Sequence, residues 1–92
     1  MSVDLAPIRE QIDALDREIV RLLNERVRLG IQVGHAKAGA GLPIRDPERE
    51  GDVLRRVREV NDGPIPDDEL LELYGRIIAL TRRLEGLAPP PG

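Results

Sequence analysis

The sequence of 92 residues contains no cysteine, phenylalanine or tryptophan, and only one tyrosine and one histidine. Without cysteine there is neither a disulfide framework nor a thiolate metal site, and one histidine cannot form a histidine cluster around a metal. With almost no aromatic residue, the core has to consist of Leu, Ile, Val and Ala, which suits helices that pack through aliphatic side chains. We therefore expect neither a metalloenzyme nor a metal cofactor.

The chain also lacks a long apolar run and an excess of positive charge. No segment approaches the ~18 uninterrupted apolar residues of a membrane span, and MSVDLAPIRE at the N-terminus does not resemble a signal peptide. The formal net charge is -3 and the pI is near 5.1, which argues against a broad nucleic-acid footprint. We expect a cytoplasmic protein with no membrane or nucleic-acid partner, in which any cationic site is local.

What the sequence does contain is three amphipathic helices: one long, one short and one medium. The first is predicted from near Asp4 to the glycine-rich AGAG at 38–41, because apolar residues alternate in steps of four and three. This apolar stripe consists of Ile8, Ile12, Leu15, Ile19, Leu22, Leu29, Val33 and Ala36. The segment GIQVG at 30–34 within this helix predicts a close helix crossing.

The two shorter helices follow from their start signals. Asp46 and Pro47 are typical of an N-cap and a first turn, and this helix should run to about Val60. After the turn NDGPIP, the third helix begins with acidic residues and should end with basic residues before Gly86. The predicted organisation is an all-α domain over 1–86 and a Pro-rich flexible tail over 87–92.

The first helix is too long for one small domain. Roughly 34 residues at about 1.5 Å each give a rod of about 50 Å, whereas a compact monomer of this size has a radius of gyration of about 12 Å. The protruding half of the rod is expected to pack against a second copy. The prediction is an intertwined helical homodimer.

Several polar residues interrupt the apolar faces. Arg26 occupies a stripe position between Leu22 and Leu29, and Lys37 lies within about 20° of the same helical face. Arg49 lies in the first turn of the second helix, where a positive charge opposes the helix dipole at a cost of roughly 0.3 to 1 kcal/mol. On the third helix, Thr81 and Glu85 extend an apolar line.

Each of these residues also has an ordinary structural explanation. Arg26 could snorkel or form an ion pair, Thr81 could be a core hydroxyl, and Glu85 and Arg49 could be solvated. His35 is assigned to the surface or a helix end, without a role. Taken together, however, three cations and a carboxylate inside a helical bundle predict a cavity for a small polyanion, which guanidinium groups bind bidentately.

The segments LAPIREQIDALDREIVRLLNERVRLGIQVGHAKAGAGLPIRDPERE and ELYGRIIALTRRLE resemble the all-helical chorismate mutases of the AroQ class. The resemblance covers most of the chain. In that family an arginine near the start of the first helix, an arginine within ER, a lysine after G-x-A, the RD-x-x-RE element and two third-helix positions line the active site. The matching residues here are Arg9, Arg26, Lys37, Asp46, Arg49, Glu50, Thr81 and Glu85.

The resemblance implies an intertwined dimer in which Arg9 is donated to the site of the other subunit. It also implies the Claisen rearrangement of chorismate to prephenate, a unimolecular step in phenylalanine and tyrosine biosynthesis that needs no cofactor. Lys37, Glu85 and Arg26 would be the catalytic residues. A glutamate at position 85 can donate a hydrogen bond to the ether oxygen only when it is protonated.

Three alternatives remain open from the sequence. A sister activity with a similar fold and pocket eliminates pyruvate from isochorismate to give salicylate. A regulatory domain is the second alternative, because NDGPIPDDELLELYGRII is similar to mutase domains fused to the first shikimate-pathway synthase. The chain could then be fused to that synthase or form a complex with it. The third alternative is a dimeric scaffold without a ligand.

Overall fold

The computed structural model describes residues 3–87, and all regular secondary structure in that range is helical. Helix α1 spans Ala6–Gly39, α2 spans Pro47–Val60 and α3 spans Asp67–Leu87. This confirms the predicted all-α class and the order of one long, one short and one medium helix. None of the three helices combines the length and apolarity needed to cross a membrane. Residues 88–92 of the predicted tail lie outside the described residues.

The ends of α1 lie where its start and stop signals predict. The Asp4 carboxylate accepts a hydrogen bond from the Ala6 amide (3.0 Å) just before the first turn, in which proline is tolerated because its missing N–H would be unpaired there. After Gly39 the Ala40 amide donates to the Ala36 and Lys37 carbonyls. Gly41 then takes a positive φ of 71°, a conformation that glycine adopts without steric cost.

Asp46 is the N-cap of α2, as predicted. Its carboxylate accepts a hydrogen bond from the Arg49 amide at 3.1 Å, which satisfies one of the free amides of the first turn. The turn that follows α2 is held by Asn61, whose side-chain amide donates to the Ile65 carbonyl and to Asp67 Oδ1, both at 2.8 Å. The turn thereby fixes the start of α3.

The end of α3 differs from the prediction. The helix continues through Gly86 to Leu87 instead of stopping before the glycine, and its last turn contains no basic residue. Glycine weakens a helix by only about 1 kcal/mol, and the side chain of Ile44 lies beside this turn, with Cδ1 3.6 Å from the place that a Cβ on Gly86 would occupy.

Helix α3 contacts both α1 and α2, but α1 takes part only through its C-terminal half. Every residue from 3 to 25 is exposed. The described chain measures 65 × 30 × 16 Å with a radius of gyration of 17.2 Å, well above the ~12 Å of a compact monomer. In residues 3–87, the side chains that a single chain buries are those of Val57 and Thr81.

The crossing of α1 and α3 depends on two glycines in GIQVG. A Cβ at Gly30 would lie 2.3 Å from Cγ2 of Thr81, and one at Gly34 would lie 3.0 Å from Cβ of Glu85. These distances leave no room for a side chain at Gly30 and little at Gly34. The predicted close crossing is confirmed, and it brings Thr81 and Glu85 directly against α1.

Candidate functional site

One cavity of about 310 Å³ lies where the three helices meet. Helix α1 forms one wall, the start of α2 forms a second wall, and the C-terminal half of α3 closes the back. Seven of the eight residues predicted from the sequence line it, together with apolar side chains and one further arginine. The polar lining residues are Arg26, Lys37, Asp46, Arg49, Glu50, Thr81, Arg82 and Glu85.

Arg26 is half-buried and has only weak partners in the described chain. Its Nη1 lies 3.4 Å from Oγ1 of Thr81, and its guanidinium carbon lies 5.9 Å from the ring centroid of Tyr74. Thr81 is 5% exposed, and its hydroxyl donates to the Ile77 carbonyl at 2.8 Å. The threonine oxygen therefore serves Arg26 as an acceptor, and most of the five guanidinium donors stay available to an anion.

Lys37 lies about 16 Å further along α1 than Arg26, at the opposite end of the cavity. Its ammonium group donates to the Ile44 carbonyl at 2.9 Å, so the loop between α1 and α2 orients the side chain. A lysine has three donors. Two of them remain for a ligand.

The start of α2 contributes three different functions. Asp46 caps the helix, Arg49 extends its exposed side chain to the cavity, and the half-buried Glu50 pairs with Arg82 of α3. Arg82 was not singled out from the sequence, since an arginine within the charged segment TRRLE is typical of a solvated face. The signal that could have found it is the need of the half-buried Glu50 for a cation.

Glu85 is half-buried beside Gly34, where α1 and α3 cross. Neither of its carboxyl oxygens makes a hydrogen bond within residues 3–87. It therefore differs from Glu50, which is fixed by an ion pair. The side chain remains available for a contact with a ligand.

Arg9 and His35 do not line the cavity of the described chain. Arg9 is exposed on the N-terminal half of α1, since 17 residues of helix separate it from Arg26 by about 25 Å, and its donation to the cavity of a second copy stays a prediction. His35 was expected at the surface or a helix end. It is half-buried, and its Nε2 atom is buried without a hydrogen-bond partner in the described range, because the close α1–α3 crossing covers this part of α1.

The fold and the cavity define an all-helical domain that holds cations around a space the size of a small organic anion. The chain belongs to the chorismate mutase type II family, whose profile matches residues 8–86. A solved structure of chorismate mutase (form II) from Thermus thermophilus superposes with a TM-score of 0.86 at 36% identity, covering 89% of this chain and 93% of that one.

Relatives in other organisms include larger proteins. A bifunctional chorismate mutase/prephenate dehydratase of Aquifex aeolicus (strain VF5) is 40% identical over 86 residues, which cover 89% of this chain and 24% of that protein. A chorismate mutase of Methanocaldococcus jannaschii is 43% identical over 56 residues, 61% of this chain and 57% of that relative. The chain thus spans about a quarter of the bifunctional relative.

These relatives also bear on the expected partner enzyme. One of the alternatives left open by the sequence was a fusion to, or a complex with, the first shikimate-pathway synthase. In the Aquifex relative and in a Neisseria gonorrhoeae relative that is 44% identical over 75 residues, the second activity in the name is prephenate dehydratase. The fusion found among relatives is therefore a different one.

Proposed function

We propose that this chain is a chorismate mutase that rearranges chorismate to prephenate. The observation that carries the proposal is that Arg26, Lys37 and Arg49 reach one cavity from two helices, each without a carboxylate partner in the described chain. A buried or half-buried cation without a partner is costly. A dianionic substrate would supply the missing negative charge.

The proposed mechanism uses binding and electrostatics alone. The rearrangement is unimolecular, so the protein accelerates it by holding the flexible dianion in its compact diaxial conformer. It also stabilises the negative charge that grows on the ether oxygen as the C–O bond breaks. Groups that donate to this oxygen more strongly in the transition state than in the substrate raise the turnover rate.

The proposed roles follow the positions of the side chains around the cavity. Arg26 and Arg49 hold the substrate carboxylates, and Thr81 assists by accepting a hydrogen bond from Arg26 and thereby orienting it. Lys37 contacts a carboxylate and the ether oxygen with its two remaining donors. Glu85 donates to the ether oxygen from its protonated form.

The ring hydroxyl of the substrate is assigned to the start of α2. The carboxylate of Glu50 accepts from this hydroxyl, and the backbone of Asp46 provides a second contact. Both residues line the end of the cavity formed by the first turn of α2. These contacts to the hydroxyl would thus fix the orientation of the bound substrate in the cavity.

The proposed assembly is a homodimer in which Arg9 of a second copy completes the cavity. Support comes from the exposed apolar stripe of α1 and from the absence of Arg9 from the cavity of its own chain. An adjoining space of about 270 Å³ is lined by valines and Tyr74 of α2 and α3 together with three arginines, and we assign it to the partner's helix. We take residues 1–86 as the catalytic domain, and the cytoplasmic location remains a prediction.

The test is to incubate purified protein with chorismate, and separately with isochorismate, and to identify the products by NMR. Prephenate from chorismate is expected. Salicylate and pyruvate from isochorismate alone would replace the proposal by a lyase. Binding of chorismate without turnover of either substrate would indicate a regulatory domain, and a pull-down would then show whether the first shikimate-pathway synthase is its partner.

A further inference from the structure

The ion pair between Glu50 and Arg82 joins two walls of the cavity. Glu50 comes from the first turns of α2 and Arg82 from the C-terminal half of α3, and their side chains are 23% and 35% exposed. Both line the cavity that contains Arg26 and Arg49. Glu50 is therefore a carboxylate that shares one small space with two arginines free of acidic partners in the described residues.

A carboxylate in such a place competes with the substrate. Guanidinium groups bind carboxylates bidentately, and the interaction strengthens where water is partly excluded. If Glu50 were not held, its side chain could turn toward Arg49 or Arg26 and occupy the donors that the substrate carboxylates need. Pairing with Arg82 gives Glu50 a partner on α3, on neither of the helices that carry Arg26 and Arg49.

The balance of the charges that line the cavity also indicates that Arg82 favours the binding of a dianion. With Arg82 they comprise four cations and three carboxylates, so the cavity of one chain carries a net positive charge. Removal of Arg82 lowers the net charge of the cavity by one unit, whether or not Glu85 is protonated. A dianion would then enter a less positive cavity, and its binding would depend more heavily on a cation from a second copy.

We propose that Arg82 is a positioning residue that holds the Glu50 carboxylate away from the substrate-binding arginines Arg26 and Arg49. This inference rests on the proposed function, because it assigns those arginines to the substrate carboxylates. Arg82 acts through Glu50 and does not itself bind the substrate. Its effect is on the affinity for the dianion more than on the chemical step.

The first variant is Arg82→Met, with Arg83→Met as a matched control. Arg83 is the next residue on α3, is exposed and does not line the cavity, so it carries the same change of charge without the ion pair. Arg82→Met should raise KM for chorismate about tenfold and change kcat less than about threefold. Arg83→Met should leave both values near those of the unmodified protein, and Arg82→Lys should restore most of the affinity.

The decisive comparison repeats Arg82→Met in a Glu50→Gln background. A glutamine carries no negative charge and cannot occupy the arginines as a carboxylate does, so the rise in KM caused by Arg82→Met should largely disappear. An equal rise in both backgrounds would overturn the inference, because Arg82 would then bind the substrate directly. A fall in kcat at unchanged KM would overturn it as well.

Folding and activity are measured so that a variant that does not fold, or an unmodified protein that is inactive, is not mistaken for a loss of substrate affinity. Circular dichroism and thermal unfolding are recorded for each variant, and Arg82→Gln replaces Arg82→Met, with the same expectations, if the methionine variant does not fold. An inactive unmodified protein would refute the proposed function itself. An active protein whose KM is insensitive to Arg82→Met would refute only the role of Arg82.

Discussion

The two halves of α1 share one apolar repeat but differ in everything that surrounds it. From Ala6 to Glu25 every residue is exposed, with Leu15 at 61% exposure. From Arg26 onward the helix crosses α3 through its glycines and forms a wall of the cavity. The same apolar repeat therefore runs through a C-terminal half that packs against α3 and an N-terminal half that has no packing partner within the described chain.

The polar residues of the two halves differ in the same way. In the N-terminal half they lie away from the stripe, and some of them pair: Arg21 binds Glu18 and Glu25, and its hydrogen bond holds the pKa of Glu18 below its usual value. In the C-terminal half, Arg26 and Lys37 interrupt the stripe and have no acidic partner in the described chain. The apolar stripe of the first half is uninterrupted, as packing requires, whereas the stripe of the second half carries cations that face a ligand cavity.

The largest expected effect comes from removing the cation that interrupts the stripe. Arg26→Leu should lower kcat/KM by about a thousandfold, since it removes a guanidinium that holds a substrate carboxylate, and truncating one partner of a buried hydrogen-bonded charge pair costs about 2–5 kcal/mol. The free energy of unfolding should not fall, because leucine continues the apolar stripe. Steady-state kinetics and chemical denaturation measure the two quantities.

The control for this change is Arg28→Leu, an exposed arginine on the same helix. It should leave the rate nearly unchanged. A comparable loss of activity in both variants would mean that any loss of positive charge from the C-terminal half of α1 lowers activity. Arg26 would then have no specific role in the cavity.

The next effect concerns the N-terminal half. Leu15→Lys should raise the dimer dissociation constant at least about a hundredfold, because each copy would lose about 1.5–3 kcal/mol of apolar burial and gain a buried cation. Asn24→Lys is the matched control, since it adds the same charge on the opposite side of the helix, about 180° away. Analytical ultracentrifugation would decide, and equal dissociation constants for both variants would contradict the assembly.

A smaller effect is expected on stability. A glycine at the α1–α3 crossing should respond to substitution in the opposite direction from an exposed glycine on α2. Gly30→Ala should destabilise the protein by about 1–3 kcal/mol, because its Cβ would lie 2.3 Å from Cγ2 of Thr81. Gly51→Ala, on the exposed face of α2 with nothing within 4 Å of its Cβ, should stabilise by about 0.5–1 kcal/mol. Thermal unfolding of both variants checks the opposite signs.

The smallest expected effect is a change in the shape of a pH profile. The proposed donor to the ether oxygen is a carboxyl, and a carboxyl donates a hydrogen bond only in its protonated form, so turnover of the unmodified protein should depend on pH. Glu85→Gln keeps a donor at every pH and should flatten the profile of kcat. An unchanged profile in the variant would remove Glu85 from the proposed mechanism.

The fold was largely predictable because its signals are local. The cap at Asp46, the glycines after Ala38 and the apolar repeat of α1 each depend on neighbours within a few residues, and the structure has them where they were predicted. The end of α3 was not predicted, since the loop residue that lies against Gly86 is about forty positions away in the sequence.

From the residues alone, the site was predictable where a polar residue interrupts an apolar face or a charge opposes a helix dipole, and the family resemblance added Asp46 and Glu50. Arg26, Thr81 and Glu85 stood out in this way, whereas Arg82 did not, because its partner Glu50 lies on another helix and the pair exists only after folding. The half-burial of His35 was not predicted for the same reason, since it follows from the helix crossing. The donation of Arg9 to a second chain stays a prediction, which rests on the family resemblance and on the length of the helix.

The central claim is that the cavity is completed by Arg9 of a second copy, and mixing two inactive variants tests it most directly. Arg9→Met and Arg26→Leu are purified separately, mixed in equal amounts under mild denaturation and refolded together. Half of the dimers should be mixed, each with one intact site, so roughly a quarter of the unmodified activity should return. No recovery, although mass spectrometry detects the mixed dimer, would contradict the account.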